Sequence, residues 1–244
     1  SMPPYEASQM PLTFFLSFFN NHGLFKLKNR PQWYTVENRS KTYVDKIIDK
    51  ISGEHFKNYN VNKVVRNDFG AKIYYGGENE FFDYDKVVIA THADQALDII
   101  DNPTSDEEEI LKNFKYRDNS AVIHFDESIM PKNRKAWCSW NSSMSKDNIK
   151  KTSVTYWLNQ LQNLKINRDI FLTINPFRDI PEDKIFKKVK FTHPYYDNAA
   201  LSNQNNLNKI QNKKNILFCG SYFGYGFHED GIKSSIDMLK TLND

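Results

Sequence analysis

Apolar residues recur every three or four positions along several stretches of the chain, a spacing that predicts amphipathic helices. The predicted helices cover 7–19, 41–51, 93–100, 104–114 and 157–164, and a last one begins near Gly231. Ser40 is a suitable N-cap for the second helix, in which we expect Val44, Ile47 and Ile48 to form a buried stripe. The apolar arc of the first helix suits either a protein core or a lipid surface, and the core is the favoured interpretation.

Shorter runs rich in β-branched and aromatic residues predict strands. These runs lie at 33–36, 61–66, 71–75, 81–82, 87–91, 121–125, 136–140, 152–156, 170–175, 186–191 and 216–219. Turn residues between the second, third and fourth runs predict a small antiparallel meander. The nearly continuous β-branched run Val87–Thr91 is typical of a strand covered on both faces. The even spacing of the runs after Ser120 favours a separate, mostly antiparallel sheet.

A glycine-rich segment joins the last strand to the last helix. Its glycines, from Gly220 to Gly231, let the backbone turn sharply and come close to another molecule. The first amide N–H groups of a helix lack partners within the helix, and phosphates bind there. The segment therefore predicts a phosphate site, although an ordinary tight connection from strand to helix explains the same pattern.

Composition narrows the class of protein. Hydrophobic residues make up 39% and charged residues 26% of the 244 residues, which is typical of a soluble globular protein. The net charge is +3, and the positive and negative residues are interspersed. The sequence therefore has no basic stripe of the kind that would indicate a nucleic-acid partner. Aromatic residues reach 14%, which suits a ligand cavity, although aromatic side chains fill cores more often than they line pockets.

Cysteine usage and hydropathy bear on location. Cys138 and Cys219 lie far apart without metal-ligand spacing, so they predict free thiols in a reducing compartment and no metal site. No apolar run has the length of a membrane span, and no signal peptide is recognisable at the N-terminus. We therefore expect a cytoplasmic protein without a transmembrane segment, either free or at the surface of the membrane.

Several segments taken together resemble one superfamily. They are Arg30–Val36, Val88–Leu97, Trp137–Asn141, Thr155–Asn159, Leu172–Pro176, Phe218–Tyr222 and Gly224–Gly231. In this order they are similar to the C-terminal part of flavin-containing amine oxidases. Within that superfamily they most resemble the bacterial proteins described as predicted NAD/FAD-binding proteins.

The resemblance implies an α/β fold with an α+β insertion. It consists of the C-terminal part of a FAD/NAD(P)-binding domain of the glutathione-reductase type and a mostly antiparallel substrate domain. The substrate domain is expected at 1–38 and 104–212, and the partial FAD-binding domain at 39–103 and 213–244. The chain has no G-x-G-x-x-G fingerprint near its start, so the N-terminal dinucleotide-binding βαβ unit is expected to be absent. We interpret the chain as a C-terminal fragment that needs the missing half or a partner chain.

The resemblance also implies FAD as the cofactor. The expected cofactor-binding residues are Val61, Val64, Thr91, Gly220, Ser221, Tyr222, Gly226, Phe227, Glu229, Asp230, Gly231 and Ile232. The backbone N–H groups of Tyr222, Gly231 and Ile232 are the expected donors. Because carboxylates repel phosphate, Glu229 and Asp230 are expected to accept ribityl hydroxyls or to cap the helix.

Candidate catalytic and substrate-binding residues follow from the same resemblance. His228 and His92 are the polar candidates beside the flavin, with a structural role as the alternative for each. The expected walls of the substrate cavity are Trp33, Trp140, Tyr156, Trp157 and Tyr225, with core packing as the alternative. The loop Glu37–Ser40 departs from the family, which carries a Gly-Gly pair before the serine, so flavin contact is not expected there.

The function implied is that of a FAD-dependent oxidoreductase, which transfers hydride from an apolar or amine substrate to flavin. The apolar first helix and the aromatic residues favour an apolar small-molecule substrate. The alternative is a non-catalytic module that binds a hydrophobic ligand or a partner and does not retain FAD on its own.

Overall fold

A computed structural model describes residues 10–32, 34–77, 79–148 and 151–242 of the chain. Its helices are α1 (Leu12–Asn21), α2 (Ser40–Ile48), α3 (Ala93–Ile99), α4 (Ser105–Leu111), α5 (Leu158–Leu161), α6 (Asn198–Gln204) and α7 (His228–Lys240). Its strands are β1 (Val61–Arg66), β2 (Ala71–Tyr75), β3 (Phe81–Tyr84), β4 (Val87–Ile89), β5 (Lys115–His124), β6 (Trp140–Met144), β7 (Thr152–Trp157), β8 (Phe171–Ile174), β9 (Ile185–Tyr195) and β10 (Ile216–Phe218). This mixed α/β content with antiparallel sheets agrees with the predicted fold class at the level of its elements.

The chain forms two compact units. The central unit is built around Tyr116–His193, and the flanking unit consists of Pro11–Lys115 and Pro194–Asp244. Compactness and ligand binding divide a chain in different ways, so the predicted boundaries of a substrate domain and a FAD-binding domain stay a prediction.

Strands β1, β2 and β3 of the flanking unit form the predicted antiparallel meander. Val64 of β1 faces inward, and its carbonyl accepts the amide of Asp101 just after α3. Arg66 extends from the end of β1 and forms a buried ion pair with Glu107 of α4. The Glu107 carboxylate also accepts the amide of Thr104, completing the capping box at the start of α4. These contacts fix the meander against the two helices.

Strands β4 and β10 pair in parallel, with Val87 opposite Ile216 and Ile89 opposite Phe218. All three residues of β10 are buried. The other edge of β10 is covered by the side chain of Gln211, whose amide nitrogen donates to the Phe218 carbonyl at 2.7 Å. The Phe218 N–H in turn donates to the Gln211 side-chain oxygen at 3.0 Å. One glutamine side chain thus takes the place of a neighbouring strand.

The central unit contains a five-stranded sheet in the order β6-β7-β8-β5-β9. The β6–β7, β7–β8 and β5–β8 pairs are antiparallel, as the spacing of the strand runs predicts. His124 of β5 is fully buried, and its Nε2 lies 2.7 Å from the hydroxyl of Thr173. The hydroxyl of Thr173 also lies 2.9 Å from the hydroxyl of Thr155. A line of hydrogen-bonded side chains therefore crosses three strands inside this unit.

Three predicted elements differ from the structure. Tyr34–Val36 do not form a strand, and Trp33 lies outside the described residues. A 3₁₀ turn at Arg134–Ala136 replaces the start of the strand predicted at 136–140, since the Asn133 side chain accepts the Lys135 amide. The helix predicted at 157–164 shortens to α5, because Asn163 has a φ of 49°, outside the helical region.

The predicted burial of the α2 stripe is wrong. Val44 and Ile47 are both more than two-fifths exposed, and no residue of α2 is buried. The spacing of apolar residues gives a helix its apolar face but does not supply the surface that covers it. Among the described residues, no helix combines the length and the apolar character needed to cross a bilayer.

Candidate functional site

A crevice lies at the carboxyl ends of β4 and β10 in the flanking unit. Because the two strands run parallel, Thr91 and Gly220 leave them at the same edge. A methyl group added at the Gly220 α-carbon would lie 3.5 Å from the Thr91 carbonyl oxygen, so the two backbones nearly touch. Ligands of open α/β sheets bind outside such strand ends.

A groove of about 530 Å³ runs beside β4. The structure brings three predicted cofactor-binding residues to its wall, Val61, Val64 and Thr91. The rest of the lining is mostly apolar, with Asn60 and Gln95 as polar groups. An apolar wall with few polar groups is typical of a site for a flat organic ring.

The edge of β4 that faces away from β10 lies open along the groove. Among the described residues no strand pairs with this edge, and Val88 is 44% exposed. The prediction of a strand covered on both faces is therefore wrong for the described part of the chain. The β-branched run carries the pattern of a central strand, whereas the described residues supply a neighbour on only one side.

The glycine-rich turn after β10 is held by two polar side chains. Ser234 of α7 accepts the Gly220 N–H at 2.9 Å and donates to the Gly231 carbonyl at 2.7 Å. Gln204 at the end of α6 donates to the carbonyls of Tyr222 and Gly224. The turn is therefore fixed from both sides.

The amide donors predicted for phosphate are engaged or displaced. Helix α7 begins at His228, so Gly231 and Ile232 lie inside it, and the Gly231 N–H donates to the Phe227 carbonyl at 3.2 Å. The Asp230 carboxylate accepts the amides of Tyr225 at 3.0 Å and of Phe227 at 2.9 Å. Of the two roles left open for Asp230, the structure shows capping. This turn offers a carboxylate where a phosphate would need free amides.

The structure explains why a glycine is needed at position 226. Its φ is +91°, and a β-carbon there would lie 2.8 Å from the hydroxyl oxygen of Tyr196. At Gly231, by contrast, a β-carbon would meet only the Ser221 amide nitrogen at 3.9 Å, which is an ordinary contact. Tyr222 is buried, and Phe227 is exposed beside Phe18 and His22 of the first helical segment.

His228 is the first residue of α7 and is exposed. Its Nδ1 lies 2.7 Å from the hydroxyl of Tyr43 on α2. Just before α2, Asn38 and Arg39 have φ values of 57° and 69°. The loop that carries a glycine pair in the resembled family therefore keeps positive φ angles here, although larger side chains occupy it.

His92 lies at the other strand end. It caps the N-terminus of α3, and its amide donates to the Gln95 side chain at 3.3 Å. The hydroxyl of Thr91 donates to the His92 carbonyl. The backbone of His92 thus has a structural role, and a catalytic role for its ring stays a prediction.

The predicted cavity aromatics fall in different units. Trp140 and Tyr156 are opposite each other on β6 and β7 of the central unit, where burial raises the pKa of Tyr156. Trp157 packs edge-on against Trp137 and donates to Asp169 at 2.8 Å. Tyr225 belongs to the flanking unit, next to Phe14. The structure therefore gives Trp157 a packing role, and the cavity itself stays a prediction.

Sequence reasoning missed three residues that shape the crevice, namely Tyr43, Gln204 and Gln211. Tyr43 and Gln204 each hydrogen-bond to a segment distant in sequence, and Gln211 hydrogen-bonds to Phe218, seven positions away. Such contacts leave no periodic signal. In the described ranges, no group of three or more His, Cys, Asp or Glu side chains is arranged to hold a metal ion.

No protein-family model matches the chain, and no curated protein matches it. Solved structures do match in fold. A fatty acid isomerase from P. acnes that produces conjugated linoleic acid (CLA) aligns with a TM-score of 0.58 and 12% identity, covering 83% of this chain and 51% of the isomerase. A candidate protoporphyrinogen oxidase from Exiguobacterium sp. 255-15 aligns with a TM-score of 0.57 and 10% identity, covering 94% of this chain and 57% of that protein.

A putrescine oxidase bound to putrescine gives a TM-score of 0.56 at 10% identity, with 85% of this chain and 53% of the oxidase covered. The chain thus spans about half the length of the structures it matches. These alignments confirm, at the level of fold, the resemblance to the amine oxidase superfamily that the sequence motifs predict.

Proposed function

We propose that the chain is the cofactor-binding portion of a FAD-dependent oxidoreductase. The observation that carries this proposal is the groove beside β4, which unites Val61, Val64 and Thr91 at the carboxyl end of a parallel strand pair. The likeness of fold to amine oxidases supports it. The flanking unit then corresponds to part of a FAD/NAD(P)-binding domain of the glutathione-reductase type.

The groove fits the adenine end of FAD better than its pyrophosphate. Its wall is apolar, and backbone groups of a strand end are within reach for the polar edge of a purine. The turn before α7 does not fit a phosphate, because Asp230 occupies the amides of Tyr225 and Phe227. We therefore assign the pyrophosphate contacts to polypeptide beyond the described residues.

The open edge of β4 supports a role for further polypeptide. A parallel strand buried on one side only is unusual, since parallel sheets are normally covered on both faces. Gln211 covers the outer edge of β10, whereas β4 has no comparable cover among the described residues. We propose that a missing half of the protein, or a partner chain, packs beside β4 and supplies the pyrophosphate contacts, while the groove itself binds the adenine end of FAD.

Bound FAD would supply the acceptor for a hydride leaving the substrate. His228 and Tyr43 form the polar pair at the start of α7 that would hold a proton near the reacting bond. His92 takes the corresponding place after β4. The exposed aromatic residues Trp140 and Phe227 favour an apolar small-molecule substrate, and the expected location is the cytoplasm.

A separate observation supports a second candidate function. The Asp230 carboxylate at the start of α7 excludes an anion there, and exposed apolar residues cover parts of α2 and α7. Both features suit a module that binds a hydrophobic ligand or a partner chain without retaining FAD. FAD binding by the chain separates the two functions.

The test uses a matched pair of variants in a thermal unfolding assay with and without FAD. Val88→Arg places a long cation in the groove, and Val36→Arg makes the same change at a valine that is equally exposed (47%) but outside it. A ligand that binds only the folded state raises Tm with its concentration. We expect FAD to raise Tm for the wild type and for Val36→Arg, and not for Val88→Arg. Equal shifts in all three proteins would place FAD outside the groove.

A further inference from the structure

Helix α1 has no charged residue in its sequence LTFFLSFFNN. One face packs within the flanking unit, with Phe14 stacked on Tyr196 at 5.0 Å between ring centroids. The opposite face carries Leu12, Phe15 and Leu16 and is exposed, with Leu12 at 68%. Thr13, Ser17 and Asn20 form the polar face of α1, so these exposed apolar side chains lie outside that face, and exposed apolar patches mark surfaces that are covered by a partner or a membrane. Part of its natural cover is therefore missing from the described residues.

The loop after α1 continues this apolar surface. Gly23, in the left-handed region at φ +63°, brings the loop back against Pro31, so that a β-carbon there would lie 2.7 Å from the proline ring. Leu24, Phe25 and Leu27 are each at least 40% exposed, and Leu27 is 92% exposed. We call α1 together with residues 24–30 the apolar–basic surface.

Charge decides what kind of cover fits this surface. Lys26, Lys28 and Arg30 alternate with the exposed apolar residues of the loop. No aspartate or glutamate occurs in the sequence from Pro11 to Val36. Exposed leucine and phenylalanine side chains flanked only by cations are the signature of a segment that lies in the interface of an anionic membrane.

We propose that the apolar–basic surface docks the protein onto an anionic lipid surface. Ten residues of helix span only about 15 Å, so α1 lies along the membrane rather than across it. Leu27 and Phe25 enter the headgroup region, while the neighbouring cations contact lipid phosphates. Phe14 and Phe18 connect α1 to Tyr225 and Phe227 of the glycine-rich turn. The docking also brings lipid-dissolved substrate beside the crevice, and that consequence alone rests on the proposed function.

The test is co-sedimentation of the full chain with vesicles, without FAD. Vesicles of mixed phosphatidylglycerol and phosphatidylcholine are compared with vesicles of phosphatidylcholine alone. We expect binding to the anionic vesicles that weakens as salt is raised. The double variant Lys26→Glu/Lys28→Glu and the single variant Leu27→Asp should each weaken this binding by at least about tenfold.

Matched controls separate docking from general charge and hydrophobicity. Lys187→Glu/Lys190→Glu makes the same change in net charge at exposed lysines of the central unit. Phe69→Asp removes an exposed aromatic residue from the turn between β1 and β2. Both controls should bind vesicles as the wild type does.

Three results would overturn the proposal. The first is a folded wild-type chain that stays in the supernatant with anionic vesicles at low salt. The second is equal loss of binding in the two lysine pairs. The third is self-association that Leu27→Asp abolishes, without vesicle binding, which would make a second copy the cover. Because FAD is absent throughout, none of these results depends on the flavin site.

Discussion

The hydroxyl of Tyr43 lies 2.7 Å from Nδ1 of His228, although 185 positions separate the two residues in sequence. The contact joins the second turn of α2 to the first residue of α7. It also connects the strained loop at Asn38 and Arg39 to the candidate crevice. The pair therefore connects the two segments of the flanking unit at this site.

A double-mutant cycle on this pair should show coupling. We expect Tyr43→Phe and His228→Ala each to lower the free energy of unfolding by about 0.5–1.5 kcal/mol. The double variant should lose less than the sum, because both changes remove the same hydrogen bond. Urea unfolding measures all three, and Tyr34→Phe at an 89% exposed hydroxyl is the control. Strict additivity would show that the contact contributes nothing in solution.

Gly226 and Gly231 should respond oppositely to alanine. At Gly226 the positive φ and the nearby Tyr196 hydroxyl make Gly226→Ala destabilising by at least about 1 kcal/mol. At Gly231 the site is roomy and lies in a helix, so Gly231→Ala should stabilise by about 0.5–1 kcal/mol. Thermal or chemical unfolding compares the two directly. Destabilisation by Gly231→Ala would show that something else requires a glycine at this position.

Arg39 occupies a backbone region that is almost reserved for glycine, with φ 69° and ψ −167°. A side chain with a β-carbon is strained in this region, so Arg39 stores backbone strain that glycine would relieve. Arg39→Gly should raise the free energy of unfolding by about 1 kcal/mol, after allowance for the greater freedom of glycine in the unfolded chain. Asn38→Gly is the control, because asparagine tolerates its φ of 57° well. Equal effects of the two changes would argue against specific strain at Arg39.

His124 makes the central unit sensitive to acid. Burial lowers the pKa of its imidazole from 6.5 to about 4, against the opposing attraction of the Asp126 carboxylate. The Asp126 amide donates to Nδ1, so Nε2 carries the proton donated to Thr173. A second proton, on Nδ1, would point at the Asp126 N–H, which is itself a donor. The folded imidazole therefore stays neutral at pH values where the unfolded one is charged.

The sign of the pH effect follows from proton counts. Between pH 6.5 and 4 the unfolded chain binds a proton at His124 that the folded chain does not, so stability falls as the pH falls through this window. The loss approaches about 3 kcal/mol at its lower end. His124→Gln should flatten this dependence. The Asp126 pKa is lowered, mainly by Lys184 and Ser128 against the effect of burial, so its titration falls below the window. An unchanged slope in the variant would exclude His124 as its source.

Local patterns predict the elements of the flanking unit well. The β-branched run at Val87–Thr91 and the apolar run at Ile216–Cys219 both form strands, as short apolar runs bounded by turn residues predict. Thr104 and Glu107 form the capping box at the start of the helix predicted at 104–114. These features depend on residues within a few positions of one another, which is the range that a sequence pattern reports.

Exposure and long-range polar contacts could not be predicted in this way. Ile47 has the spacing of a buried residue but is exposed, since periodicity does not name the covering surface. Tyr43 lies 185 positions from its partner His228, and the contact of Gln211 with Phe218, seven positions away, follows no periodic pattern. Asp230 took the capping role because its carboxylate reaches two turn amides, an outcome decided by geometry at the helix start. The structure brings the predicted strand ends together, whereas the polar contacts around them were not predicted and the site itself stays a prediction.

The measurement that tests the central claim most directly is a fluorescence titration of FAD with the purified 244-residue chain, followed by competition with ADP. We predict saturable binding at one FAD per chain, displaced by ADP, because the groove beside β4 is assigned to the adenine end. Riboflavin, which lacks that end, should not saturate in the same range. An unchanged flavin signal at all protein concentrations, or binding that ADP does not affect, would contradict the assignment of this groove to FAD.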